Sequence, residues 1–292
     1  MKNPYKRHDI FKCSQEAHQR FQGRVSAYHV LKEKHCYPMG CIYFLWHCTK
    51  LEKGKRCIRG FQYAGRQCHG CMHFMDEKVH LQPELIVTAE QYEDFLEEAE
   101  MFDAWLESVR FRRLSIAGRI SVVKPWFEKR ILSKETHTKL MGFLLVFRKG
   151  FLGITRFDDT FYIRVSAGMM KMHLFRPGMR MELTGEIRED RGRVLVHAPK
   201  QIECMNRGWG RLWTRQDALV AVKTATLMEE QPEQCLGCPW GALTDVHDFR
   251  NTERQRYRHL YCLKGIQDPD GCYVRVQRKL RKRKSSMKNG QA

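Results

Sequence analysis

Period-two alternation of apolar and polar residues dominates the middle of the chain. Leu114, Ile116, Gly118, Ile120 and Val122 fall on one side of an extended segment, with Ser115, Ala117, Arg119 and Ser121 on the other. Phe161, Ile163 and Val165 alternate with Tyr162, Arg164 and Ser166, and Met181, Leu183, Gly185 and Ile187 with Glu182, Thr184 and Glu186. Alternation of this kind marks strands with one buried face. It predicts strands at 114–124, 142–154, 159–167, 179–189 and 193–204, with a helical insert at 169–175 after the third. Asp158-Asp159, Pro177-Gly178 and Asp190-Arg191-Gly192 supply the turns between them. Ahead of this region the period is helical. Tyr92, Phe95, Leu96, Ala99, Phe102, Trp105, Leu106 and Val109 recur at three- and four-residue steps behind a Thr88/Gln91 capping box. The opposite face carries Glu90, Glu93, Asp94, Glu97 and further carboxylates, and reads as a solvated face. From Trp209 to Gln234 the chain turns helical again, with Thr214 and Asp217 as the capping box of a connecting helix.

The order β-β-β-α-β-β is that of an OB-fold, a small Greek-key barrel. The phrase Arg-Pro-Gly-Met-Arg-Met-Glu-Leu-Thr-Gly-Glu-Ile at 176–187 resembles the lead-in to the fourth strand of OB-fold nucleic-acid-binding domains. The fold class expected is α+β, a central five-stranded OB-type β-barrel flanked by cysteine-rich metal-binding segments and helices. The expected divisions are a cysteine-rich segment at 1–82, the acidic helix at 83–110, the barrel at 111–205, a connector helix with a four-cysteine module at 206–274, and a basic disordered tail at 275–292. In OB-folds the first loop and the second and third strands make the binding face. Here 125–139 is read as that loop, and the candidate nucleic-acid contacts are Arg119, Lys124, Trp126, Phe127, Arg148, Lys149, Phe151, Tyr162 and Arg164. Aromatic faces stack on unpaired bases while Arg and Lys neutralise phosphates. Trp126 and Phe127 could instead cover a barrel end, and Phe151 could be core. Alternation points Tyr162 and Arg164 outward.

Charge strengthens the case for a polyanion. The 292 residues carry a formal net charge of +19, distributed as +9 in 1–82, −9 in 83–109, +11 in 110–205 and +8 in 206–292. The strand region is the most basic per residue, the footprint of a phosphate backbone. An acidic protein partner is the competing explanation. No apolar run approaches the ~18 residues of a membrane span. The opening Met-Lys-Asn-Pro-Tyr-Lys-Arg-His lacks the apolar centre of a secretory signal. The expected compartment is the cytoplasm, and no membrane partner is expected.

Twelve cysteines in a reducing compartment point to metal rather than disulfides. Six run as Cys36-x4-Cys41-x6-Cys48-x8-Cys57-x10-Cys68-x2-Cys71, more than the four that one zinc or one cubane cluster takes. The preferred ligands are Cys36, Cys57, Cys68 and Cys71, with Cys41 the first substitute. The apolar run from Cys41 to Cys48 reads as helix or buried strand. The second group, Cys235-x2-Cys238 with Cys262 and Cys272, has four thiols and none to spare. Proline after Cys238 is similar to cluster-binding runs of ferredoxins, and the wide gaps resemble iron–sulfur domains of nucleic-acid-processing enzymes. That resemblance implies a [4Fe-4S] cluster, with zinc as the alternative, one centre per cysteine group.

The chain has no P-loop, nucleophile elbow, dinucleotide fingerprint or zinc-protease helix, which favours a binder over an enzyme. The expectation is a metal-stabilised OB-fold protein holding single-stranded DNA or RNA. The alternatives are an iron–sulfur redox protein using the barrel as an interaction platform, and a scaffold for a protein partner.

Overall fold

Long runs of alternating residues need long partners, and the strands are longer than their turn residues imply. A computed structural model describes residues 1–19, 21–229, 231–250 and 255–274. The basic tail expected at 275–292 lies outside the described residues. The chain divides into two units, Pro4–Met101 and a second formed by Met1–Asn3 with Phe102 onward.

In the first unit, β1 (Phe11–Lys12), α1 (Glu16–Gln19), β2 (Arg24–Val25), β3 (Cys41–Cys48), α2 (Thr49–Glu52), β4 (Phe74–Leu81) and β5 (Glu84–Leu85) follow in order. β2, β1 and β5 form a small sheet, and Ile10, Phe11, Val25 and Val30 are buried. β3 and β4 form a separate ribbon, in register from Cys41↔Leu81 to Cys48↔Phe74. The run from Cys41 to Cys48 is thus a strand. It is not a buried one: Ile42, Phe44 and Trp46 are exposed, since a two-stranded ribbon leaves much of its surface uncovered. Helix α3 (Ala89–Val109) crosses from one unit to the other. Thr88 and Gln91 exchange bonds of 3.1 and 3.2 Å as the capping box requires, and Phe95, Ala99, Phe102 and Leu106 are its buried positions.

The second unit holds β6 (Arg113–Ile131), β7 (Thr136–Leu152), β8 (Thr155–Phe157), β9 (Phe161–Val165), α4 (Ala167–His173), β10 (Arg180–Glu189), β11 (Val194–Cys204), α5 (Arg215–Lys223), β12 (Thr226–Met228), α6 (Glu233–Leu236), β13 (Gly241–Asp248) and β14 (Gln255–Cys262). All nine strands join one sheet, giving a mixed α and β architecture dominated by strands. β6 pairs with both β10 and β7, β7 continues to β9, β9 lies parallel to β11, and β11 returns to β10. The pairings therefore come back to their starting strand. Inside, the Phe147 and Phe161 rings stack at 4.9 Å. Gly118 makes room for them: a Cβ there would stand 2.8 Å from Phe147.

The expected loop at 125–139 is a correction. β6 and β7 continue through most of it, paired from Pro125↔Phe143 to Ile131↔Thr136, so only 132–135 remain as a turn. The cause is a distant partner. β13 runs parallel beside Phe127–Ile131 of β6, supplying backbone hydrogen bonds that a loop would have to find in water. The connector helix is also shorter than expected. α5 starts on the Thr214/Asp217 capping box but ends at Lys223, and the chain then turns into β12 and the β13–β14 hairpin. No helix among the described residues is long and apolar enough to cross a membrane.

Candidate functional site

Four strands place basic side chains on one side of the sheet. Arg119 of β6 stands directly opposite Arg180 of β10, and two residues along, Ala117 stands between Glu182 of β10 and Phe151 of β7. Phe151 in turn faces Arg156 of β8. These residues, with Lys149 and Met205, line an open groove of about 450 Å³. Arg119, Lys149 and Arg180 are exposed, and their side chains make no hydrogen bond or ion pair among the described residues. Phe151 is 49% exposed. Asp158 also lines the groove, but Arg156 engages it at 3.0 Å.

The remaining candidate contacts lie elsewhere. Trp126, Tyr162 and Arg164 line a narrow cleft closed by the β13–β14 hairpin, through Leu243 and Arg258. Arg164 lies 4.1 Å over the Trp126 ring and 3.4 Å from Asp190. The Trp126 indole donates to Asp245 at 3.0 Å. Arg258 donates to Asp245 at 2.7 Å and to both Asp190 oxygens at 3.1 and 3.0 Å. Burial pushes the Arg258 guanidinium down, but Asp190 and Asp245 outweigh it and raise it overall. Burial lowers Arg164 on balance, despite the same two carboxylates. Phe127 is fully buried core. Lys124 is only 3% exposed, and its ammonium donates to the Leu236 and Gly241 carbonyls. Arg148 is exposed on β7 but outside the groove lining.

The cysteines separate into distinct neighbourhoods. All are free thiols, and no three His, Cys, Asp or Glu side chains among the described residues already stand as a metal-binding group. Cys36 is buried and directs its thiol to the Val30 carbonyl at 3.9 Å. Burial first, then Cys41 and Cys13, push that thiol up. Cys41 and Cys48 occupy opposite ends of β3, about 23 Å apart at ~3.3 Å per strand residue. Cys48 faces Phe74, whose backbone N–H reaches the Cys71 carbonyl at 2.9 Å. The Cys71 N–H bonds the Cys68 carbonyl at 3.0 Å, and Arg59 reaches the Gln67 carbonyl at 3.2 Å, bringing the Cys57 loop alongside. The ribbon thus keeps Cys36 and Cys41 away from Cys68 and Cys71. Cys48, passed over in the sequence because it lies in an apolar run, is the thiol at their end.

At the C-terminal group, register brings Cys262 opposite Gly241. The Gly241 N–H bonds the Cys238 carbonyl at 3.1 Å, and the Cys238 N–H bonds the Cys235 carbonyl at 3.1 Å. Cys235 and Cys262 both pack on Met228, Leu243 and Leu260. Burial pushes the Cys235 thiol up to about 11, with Cys238, Cys262 and Cys272 adding and Lys124 opposing. Cys235 thus senses each of the other three thiols.

Arg156 and Arg180 are groove residues that sequence reasoning missed. Arg180 precedes inward-facing Met181 in the alternation, so its outward aim was readable; its position opposite Arg119 was not. No protein-family model, curated protein or solved structure with which the chain was compared matches it, so its chemistry stands on the side chains described above.

Proposed function

We propose that this protein binds single-stranded DNA or RNA along the groove between β7, β6 and β10. The observation that carries this reading is the facing of Arg119 and Arg180 beside Lys149 and exposed Phe151. Like charges directly opposite on neighbouring strands repel. A phosphate placed between them replaces that repulsion with charge-assisted hydrogen bonds. Phe151 offers a ring on which an unpaired base can stack, whatever its identity. The strand wiring supports an OB-type barrel. Its ring is β6, β7, β9, β11 and β10, α4 lies between the third and fourth of these in chain order, and β8 is a short addition beside β7. The binding surface sits away from the second-and-third-strand face usual for that fold, because the hairpin occupies the cleft around Trp126, Tyr162 and Arg164.

Titration of the full chain with fluorescent single-stranded oligonucleotides tests this. Log affinity should fall linearly with log salt, by roughly 0.7 per phosphate engaged. A duplex of the same sequence should bind more weakly, since its bases are stacked within. Arg119→Glu with Arg180→Glu should remove most of the affinity, whereas Tyr162→Phe should leave it unchanged. Undiminished binding by the double variant would overturn the assignment.

A further inference from the structure

We propose that Cys235, Cys238, Cys262 and Cys272 hold one tetrathiolate metal centre, with the buried Lys124 as its positioning residue. The backbone already assembles the frame. Cys235 and Cys238 form a tight turn whose carbonyls receive the Cys238 and Gly241 N–H groups. β13 starts at Gly241, directly across from Cys262 at the end of β14. The approach is so close that a Cβ on residue 241 would lie 1.9 Å from the Cys235 carbonyl oxygen. Cys272 arrives from a turn built on Asp268, whose carboxylate accepts the Asp270 and Gly271 N–H groups at 2.8 and 3.0 Å. The turn thus sets Cys235 and Cys238 beside Cys262, and Cys272 completes a donor set of four thiols, which suits zinc or an iron–sulfur cluster.

Lys124 supplies the second, independent observation. An ammonium buried to 3% exposure is costly unless hydrogen-bonded and electrically compensated. It donates to Leu236, which lies between the two turn cysteines, and to Gly241, which faces Cys262, the latter at 2.9 Å. One cation therefore ties both halves of the frame together from β6. Four thiolates around a metal carry net negative charge, and a fixed cation beneath them offsets it. Residues just outside the ligands typically change metal affinity about 10- to 100-fold when replaced. This centre is independent of the nucleic-acid groove and stands or falls separately.

The test is metal analysis of the anaerobically purified full chain, with alkylation mapped cysteine by cysteine before and after chelation. Cys235, Cys238, Cys262 and Cys272 should be protected together and released together. Cys235→Ser with Cys238→Ser should lower the metal content per chain by one centre. Absorbance and paramagnetic resonance distinguish zinc from a cluster, and either supports the site. Lys124→Met should lose metal to a chelator at least about tenfold faster, with Lys124→Arg restoring retention. Independent labelling of the four thiols in the wild-type chain, or unchanged metal content in the double serine variant, overturns the centre. Wild-type metal retention in Lys124→Met overturns the role of the lysine. If Lys124→Met does not fold, metal retention in Lys124→Arg decides instead: retention below one-tenth of wild type overturns a role resting on charge.

Discussion

Two groups of arginines lie on the same nine-stranded sheet and differ in what faces them. At the groove, Arg119 looks across at Arg180, with Lys149 nearby, and no carboxylate bonds any of the three among the described residues. In the cleft under the β13–β14 hairpin, Arg164 and Arg258 share Asp190, and Arg258 also holds Asp245. An anion approaching the cleft must displace carboxylates that already satisfy the guanidinium groups. An anion approaching the groove relieves a repulsion. The residue types are the same, and the distribution of acid between them decides which is structural and which is available to a ligand.

Arg258→Met is expected to have the largest effect. Arg258 is 13% exposed, and removing one partner of a buried ion-paired network costs about 3–5 kcal/mol. Urea unfolding should show this, and a loss below about 1 kcal/mol, the scale of a surface pair, would erase the contrast. The Arg119→Glu/Arg180→Glu variant should weaken oligonucleotide binding about hundredfold, taking two charged hydrogen bonds at their lower values. Its urea stability should stay within about 1 kcal/mol of wild type, because one exposed pair of opposed like charges replaces another, and a drop comparable to that of Arg258→Met would make the groove arginines structural too. Phe151→Ala should weaken binding roughly fivefold, the lower end of one lost base stack, while leaving the melting temperature nearly unmoved.

The smallest effect is on pH dependence. Burial pushes the Asp245 carboxyl up, but Arg258, the Trp126 indole N–H and Arg164 outweigh it and hold it below its ordinary 3.8. The Arg250 side chain holds Asp248 down at about 2. Carboxylates depressed in the folded chain stabilise it fully above their unfolded pKa, and that contribution is lost as pH falls through the folded one. The urea midpoint should therefore be flat above about pH 5 and decline from about pH 4 towards 2. A midpoint that is level across this window would detach the hairpin carboxylates from stability.

Much of the strand framework was legible in the residues themselves. Inward positions such as Ile116, Ile163 and Leu183 are buried as their alternation required, and both capping boxes form where Thr88 and Thr214 announced them. These are local effects, set by neighbours within four residues. The longer β6 was not legible, because its second half depends on β13, more than a hundred residues later in the chain. Lys124 shows the same limit. As a lysine in a basic region it reads as a phosphate contact, and only the arrival of the Cys235–Gly241 turn makes it a buried donor to two carbonyls.

The cysteines mark the boundary most clearly. Composition alone established that twelve thiols fall mainly into two groups, and spacing suggested which were chelating pairs. Proximity was decided by the sheets. β3 carries Cys41 and Cys48 to opposite ends of a ribbon, while the β13–β14 register sets Cys262 beside a turn that begins some 27 residues earlier. Alternation, capping and charge are properties of short segments and survive in the bare sequence. Which thiol meets which, and which arginine keeps its charge for a ligand, depend on contacts between segments far apart in the chain, and only their packing in three dimensions selects them.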